Sequence, residues 1–496
     1  MSRRSPTTAR VRVAELRALV DEVAPPGWTS SPVWWALIGA VALVEPYGRP
    51  GAYLISDAEP RADTYMGVPG PAPEDAAGRI GWAIASAHAA VRALLARDGS
   101  LPEQPLTVAI ALHRGAARAV PIASPWRVGF AFGDRVRVAV LDPRGPGHEL
   151  TLAHMLARAL HGKPDGPAPD DDAPPMLVVA LGDDDPARAH HGHRRAWHAR
   201  GGPWLGVARA GGQTIVSTCH MIVDGWGHAQ LTADVARSVD RGAARALAAA
   251  AAATLGNAPP PPLAPLTCAA ALGVAWRRLP GPMPPFTRQA WALGRLLHDD
   301  RGDARAPRSP TFQIPVAPGA VDDPNRFARR VRPAILSVRF ADGQPEPEAV
   351  FAARARAAVA REAQGRGLTS RLLTALTALP GPLGWKRGVV GSRAGWLADA
   401  LEVLAGAGCL SVLRLPGTPP PLVAVSSPAQ LVAADDARAT SVLTVIADGD
   451  GATATLAGSG RASSPAVAEA LLDTWCHQIS ALRDDGWPAS RSGPSW

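Results

Sequence analysis

Lysine and asparagine are almost missing from this chain of 496 residues. Lys163 and Lys386 are the lysines, Asn257 and Asn325 the asparagines. The net charge of +8 therefore comes almost wholly from arginine. Those arginines are scattered, with no basic block and no interleaved aromatics, so the charge does not make a nucleic-acid surface. With abundant alanine, glycine and proline, the pattern reads as GC-rich coding. Docking an acidic carrier protein or a nucleotide phosphate would use the same charge.

Cysteine is scarce as well. Cys219, Cys268, Cys409 and Cys476 are far apart and form no CxxC pair. That argues against a disulfide framework and a zinc knuckle, and fits a reducing cytoplasm. No apolar run reaches membrane-spanning length. The longest, Pro32–Val44, has 13 residues and reads as a buried helix, with peripheral membrane contact as its alternative. Trp34 and Trp35 lie in it. No apolar run follows the basic N-terminus, so it is not read as a secretory signal; a helix is expected near Val13 to Val23. GxSxG, P-loop and dinucleotide fingerprints are missing, which disfavours serine hydrolase, NTPase and Rossmann readings. No 20–50-residue periodicity marks a solenoid or propeller.

What is present is length and apolar content. A chain of this size, 47% hydrophobic, is too long for one ordinary core and implies two domains or two lobes. Proline- and glycine-rich stretches divide it at His161 to Pro175, Asn257 to Pro265 and Asp299 to Pro324. The expected division is an N-terminal lobe of residues 1–260, a crossover of 261–330 and a C-terminal lobe of 331–496. The segment Cys268 to Leu297 reads as helix.

Trp204 to Asp240 is the most informative stretch. Trp204 to Arg209 and Thr214 to Cys219 read as strands joined by the hairpin signal Gly211-Gly212. A helix follows from about Ala229, with Leu231, Val235 and Val239 four apart on one face. The C-terminal end has the same grammar. Thr440 to Ile446 and Ala452 to Ala457 read as a hairpin. A helix follows from Pro465 to Leu482, with Ser463 or Ser464 as its cap and Val467, Leu471 and Trp475 as its apolar stripe. A strand at Ala334 to Phe340, a helix at Glu346 to Glu362 and a strand at Gly408 to Leu415 complete the pattern.

The residues that carry chemistry, His220 to Gly225 (HMIVDG), join the first hairpin to its helix. Alternation puts Thr214, Val216, Thr218 and His220 on one face, with Cys219 on the other. His220 then sits at a strand end, where an imidazole can enter a cleft. Acyl transfer from a thioester needs a base for the acceptor proton, and imidazole titrates near neutral pH. The thioester is already activated, so positioning and oxyanion stabilisation are what remains. Asp224 would hold the loop, and Gly225 permits its bend. Thr218 and Trp226 are candidate pocket residues; strand filler and core packing are their alternatives. A buried histidine beside a turn-forming Asp-Gly is the bland reading of the whole motif.

The stretch CHMIVDG resembles the HHxxxDG motif of the CoA-dependent acyltransferase superfamily. That superfamily includes chloramphenicol acetyltransferase, nonribosomal peptide condensation domains and the wax ester synthase/diacylglycerol acyltransferase group. The resemblance implies an α/β fold of two chloramphenicol acetyltransferase-like lobes, each a mixed sheet with packed helices. The active site would lie in the channel between them. It implies His220 as catalytic base, Asp224 as structural, and Gly225 as part of the loop. It also implies no bound cofactor and no metal, with acyl-CoA or acyl-phosphopantetheine as co-substrate. An acyl carrier protein and a small alcohol or amine acceptor are then the partners. Cys219 stands where the first histidine of the pair is usual. The motif comes late, so the N-terminal half carries insertions. Leu415 to Pro421 is loosely similar to a segment of the wax ester synthase group, and no DFGWG segment is seen. The likeness covers about forty residues around the motif.

Other readings stay open. One is a two-lobed scaffold of the same fold that binds without catalysing; another is a condensation-type enzyme with carrier-bound substrates. The core of a 2-oxo acid dehydrogenase acyltransferase carries a similar motif, but near its chain end. The cluster His190, His191, His193 and His198 could form a surface metal site beside Asp183 to Asp185. The four arginines of the stretch Ala187 to Arg200, which are Arg188, Arg194, Arg195 and Arg200, repel a cation and favour a solvated loop.

Overall fold

The computed structural model describes residues 6–23, 32–48, 53–56, 64–69, 76–96, 100–102, 110–113, 119–121, 126–132, 135–141, 177–181, 205–210, 213–218, 225–240, 246, 273–300, 310–316, 332–378, 408–415, 422–425, 441–448, 451–458 and 464–481. In chain order the elements begin with α1 (Pro6–Val23), α2 (Pro32–Val44), β1 (Tyr53–Ser56), β2 (Thr64–Pro69) and α3 (Ala76–Leu95). Then come β3 (Ser100–Pro102), β4 (Ile110–His113), β5 (Ala119–Pro121), β6 (Trp126–Phe132), β7 (Arg135–Leu141) and β8 (Leu177–Leu181). The hairpin β9 (Leu205–Ala210) and β10 (Gln213–Thr218) leads to α4 (Gly225–Asp240). The second half holds β11 (Gly273–Pro280), α5 (Phe286–Asp300), β12 (Thr311–Val316), β13 (Arg332–Ser337), β14 (Phe340–Ala341) and β15 (Gln344–Pro345). It closes with α6 (Glu348–Ala363), α7 (Leu368–Ala378), β16 (Gly408–Arg414), β17 (Val423–Val425), β18 (Ser441–Asp448), β19 (Gly451–Gly458) and α8 (Pro465–Ala481).

Two mixed sheets organise these elements, giving the expected α/β class. The first runs β17-β2-β10-β9-β8-β6-β7, the second β11-β19-β18-β16-β12-β13. From β2 to β7 the neighbours pair antiparallel, antiparallel, parallel, parallel, antiparallel. From β11 to β13 the sequence of directions is the same. Each sheet therefore repeats one plan, and each hairpin feeds a helix, α4 in one case and α8 in the other. The similar grammar at Trp204–Asp240 and at the C-terminus is a repeat of architecture. β17 comes from the second half of the chain yet pairs with β2 at the edge of the first sheet.

The second sheet shows why these residues fold this way. Ala334, Leu336 and Val338 point into a core built with Phe312, Phe351, Leu410, Leu456 and Trp475. Ile335 points the other way, into a cluster of α1, α2 and α7 residues. That alternation is the period of two of a strand covered on both faces. Along α8 the fully buried residues are Ala468, Leu472, Trp475 and Ile479. Their spacing of four, three and four stays on one face of an α-helix. The expected stripe Val467, Leu471, Trp475 is corrected here. Steps of four alone drift around the helix, and Val467 is 37% exposed.

A second correction concerns Cys268 to Leu297. Helix occupies only its later part, α5. Gly273–Pro280 is an edge strand paired along its length with β19, and Gly281 at φ 75° breaks the chain into α5. Its apolar content was too short to separate helix from strand.

The N-terminal helices dock on the second half of the chain. Leu16, Val20, Trp34, Ile38 and Ala42 pack with Ile335, Leu368 and Ala375. Trp34 is thus a core residue, whereas Trp35 is 39% exposed under the Arg17 guanidinium. Among the described residues, no helix is long and apolar enough to cross a membrane.

Candidate active site

β10 occupies an interior position of the first sheet, between β2 and β9. Thr214 to Thr218 are all buried. Two side chains from the helices above it reach the strand. The Trp82 indole of α3 donates to Thr214 Oγ1 at 3.3 Å. His228 of α4 lies with Nε2 2.7 Å from the Val216 carbonyl oxygen. A carbonyl only accepts, so Nε2 carries the proton and donates it.

His228 is fully buried, and burial pulls its pKa down to about 4, against the opposing effect of the hydrogen bond to Val216. It is therefore a neutral imidazole at pH 7. Thr232, one turn on, returns its hydroxyl proton to the His228 carbonyl at 2.9 Å. Sequence reasoning missed His228, although the signal was there. It lies three residues before Leu231 and seven before Val235, both buried. Starting the helix at Ala229 rather than Gly225 left it outside the stripe.

The start of α4 also meets the second half of the chain. A Cβ on Gly225 would lie 3.6 Å from a Leu413 methyl. Half-buried Trp226 packs with Leu413 on a cluster of Met66, Val68, Ala229, Ala236, Leu415, Leu422 and Ile446. This cluster joins β2 and α4 to the ends of β16, β17 and β18. The bend glycine thus stands where the two sheets are sewn together.

Of the expected site residues, Thr218 is the last residue of β10, buried opposite Leu205 and Thr64. Gly225 and Trp226 open α4. Cys219, His220 and Asp224 lie outside the described residues, as do the histidine cluster His190 to His198 and most of the Leu415 to Pro421 segment. The six residues 219–224 connect the end of β10 to the start of α4.

No family model matches the chain, and no curated protein matches it. Solved structures do. The first condensation domain of the CDA synthetase is 13% identical with a TM-score of 0.38, over 86% of this chain and 92% of that one. The structure titled "Molecular basis for condensation domain-mediated chain release from the enacyloxin polyketide synthase" is 14% identical, with a TM-score of 0.37 and full coverage of both chains. The condensation domain of the monacolin K polyketide synthase is 13% identical, with a TM-score of 0.36, over 88% of this chain and 98% of that one. All three of these structures are condensation domains.

Proposed function

We propose that the chain is an acyltransferase. It moves an acyl group from a thioester, acyl-CoA or an acylated carrier protein, to an alcohol or amine, with His220 as general base. One observation carries the reading. The residues HMIVDG run from the buried end of β10 into α4, whose first residues pack on Leu413 at the seam between the two sheets.

In this reading the acceptor O–H or N–H gives its proton to the neutral His220 imidazole as the oxygen or nitrogen attacks the thioester carbonyl. The tetrahedral oxyanion collapses, the C–S bond breaks, and the thiolate leaves with the proton from His220. Asp224 holds the loop; Thr218 and Trp226 border the pocket. The co-substrate brings its own activated bond, so the reaction needs no further cofactor.

The test is free-thiol release from a panel of acyl-CoAs and an acylated carrier protein, with alcohol and amine acceptors, for wild type and His220→Ala. Acceptor-dependent release should fall about a hundredfold or more in the variant. Release that the substitution leaves unchanged would overturn the assignment of His220.

A further inference from the structure

α2 carries no charged residue and no hydroxyl or amide side chain. A helix that is apolar all round belongs in a core or in lipid. Only one side of α2 is in a core. Trp34, Ile38, Val41 and Ala42 pack with residues of α1, α7 and β13. The opposite side presents Trp35, Ala36, Ala40 and Leu43 to water, with Leu43 64% exposed. A Cβ on Gly39, in the row Trp35, Gly39, Leu43, would meet nothing within 4 Å. One 3₁₀ turn, Glu45–Tyr47, continues from the helix end, and Tyr47 is 68% exposed. Other helices that bury one side are different. α1 shows Arg10, Glu15, Arg17 and Asp21 to water, and α8 shows Glu469, Asp473, Thr474 and His477. A continuous apolar strip in place of such residues marks a contact surface.

The surrounding charges say what kind of surface it meets. The Arg17 guanidinium lies 4.7 Å from the Trp35 ring centroid. Arg10, two turns earlier on the same side of α1, is exposed as well. The carboxylates nearby are engaged. Glu15 and Glu45 pair with Arg371 at 3.2 and 2.7 Å, Glu22 pairs with Arg361, and Asp21 lies 3.6 Å from Arg17. The strip is thus edged by arginine, in a chain of net charge +8. Apolar side chains between two amphipathic rings, with cations beside them, fit the boundary of an anionic bilayer. Leu43 enters the acyl layer, Trp35 and Tyr47 sit at headgroup depth, and the guanidiniums meet lipid phosphates. At about 1.5 Å per residue, the 13 residues of α2 reach about 20 Å, short of the roughly 30 Å of hydrocarbon, so the helix lies along the surface. A second copy of the chain is a poorer occupant. One side of one short helix falls well below the roughly 800 Å² per partner that a stable dimer buries.

We infer that the outer side of α2, with Arg10 and Arg17 of α1, docks on an anionic lipid surface. This does not depend on the role proposed for His220.

The experiment floats the full chain with vesicles of phosphatidylcholine and phosphatidylglycerol in equal parts, and with vesicles of phosphatidylcholine alone. The forms are wild type, Leu43→Glu, Leu43→Gln, Trp35→Gln, the double variant Arg10→Gln with Arg17→Gln, and Val350→Glu. The last puts the same new charge at an exposed apolar position of α6. Wild type should bind the anionic vesicles about tenfold more tightly than the neutral ones, and more weakly as salt is raised. Leu43→Glu and Trp35→Gln should each lose about tenfold or more, and Leu43→Gln, which adds no charge, about fivefold. The double arginine variant should lose about tenfold on the anionic vesicles alone. Val350→Glu should stay within about twofold of wild type. Thermal unfolding of each variant without lipid should match wild type, because every substituted side chain is exposed. Wild type that floats with neither vesicle would overturn the inference. So would Leu43→Glu and Leu43→Gln floating as wild type does, which would leave only nonspecific charge attraction. A dimer in lipid-free ultracentrifugation that Leu43→Glu dissociates would also overturn it, by giving this side of α2 to a second copy.

Discussion

His228 and Thr214 show how single polar groups are made tolerable inside an apolar layer. Each lies on the covered face of the first sheet, and each has a partner of fixed direction, the Val216 carbonyl for one and the Trp82 indole for the other. For His228 the consequence is a stability that depends on pH. Its folded-state pKa of about 4 lies below the ordinary value of 6.5. A depressed histidine must lose its proton to fold, so the contribution is complete above pH 6.5 and is lost as pH falls toward 4. At pH 5 the cost is about 2 kcal/mol. Denaturant unfolding of wild type and His228→Gln at pH 7 and pH 5 should show wild type losing about that much more than the variant. Equal losses would mean that His228 is not held neutral. His228 was readable in the sequence as part of the stripe with Leu231 and Val235. Its hydrogen bond was not, because the acceptor is a backbone carbonyl that any residue at 216 would supply.

At the scale of elements, the hairpins and helices that were legible are those with a local signature. Gly211-Gly212 and Asp448 to Gly451 mark two-residue turns, and the flanking strands and helices fall within a few residues of expectation. Gly273–Pro280 was not legible, since its strand character comes from pairing with β19 about 180 residues away. The start of α7 depends on a distant group of another kind. The Glu362 carboxylate accepts from the amides of Thr369 at 2.7 Å and Ser370 at 3.1 Å, and from the Ser370 hydroxyl at 2.6 Å. Burial pushes its pKa up, and these three donors oppose that. Glu362→Ala leaves the first turn of α7 without its cap in a buried setting. It should cost about 2 kcal/mol by denaturant unfolding. A loss below a few tenths would show that the cap contributes nothing. Gly367 is part of the same device, since a Cβ there would meet the Glu362 carboxylate at 2.3 Å or closer.

Across the whole molecule, two long-range connections join what the chain order separates. One is β17, which places Val423–Val425 beside β2 and brings Leu422 into the cluster under α4. Leu422 is 1% exposed, so Leu422→Asp buries a charge at the seam between the sheets. It should lower stability by about 3 kcal/mol or more and reduce thiol release at temperatures where each sheet is still folded. Thermal unfolding followed by circular dichroism alongside activity checks this; an unshifted transition would mean that the seam contributes little. The other connection is the docking of α1. Arg339, Arg354 and Arg361 donate to the carbonyls of Asp21 and Glu22 and to the Glu22 carboxylate, and Arg371 pairs with Glu15 and Glu45. Arg354 also bonds the Ser337 carbonyl at 2.8 Å and pairs with Glu346. The last turn of α1 is thus tied to the edge of the second sheet.

The amino-acid sequence pointed to two lobes, to the hairpin-helix unit with HMIVDG at its joint, and to an echo of that unit at the C-terminus. These depend on period, turn residues and length, which act over a handful of neighbouring residues. The folded chain settled the rest. It put β17 in the first sheet, docked α1 and α2 on the second, turned His228 onto Val216 and brought Leu413 against Gly225. Each of those joins groups separated by 12 to more than 300 residues through shape, burial and hydrogen-bond direction, and none leaves a local pattern.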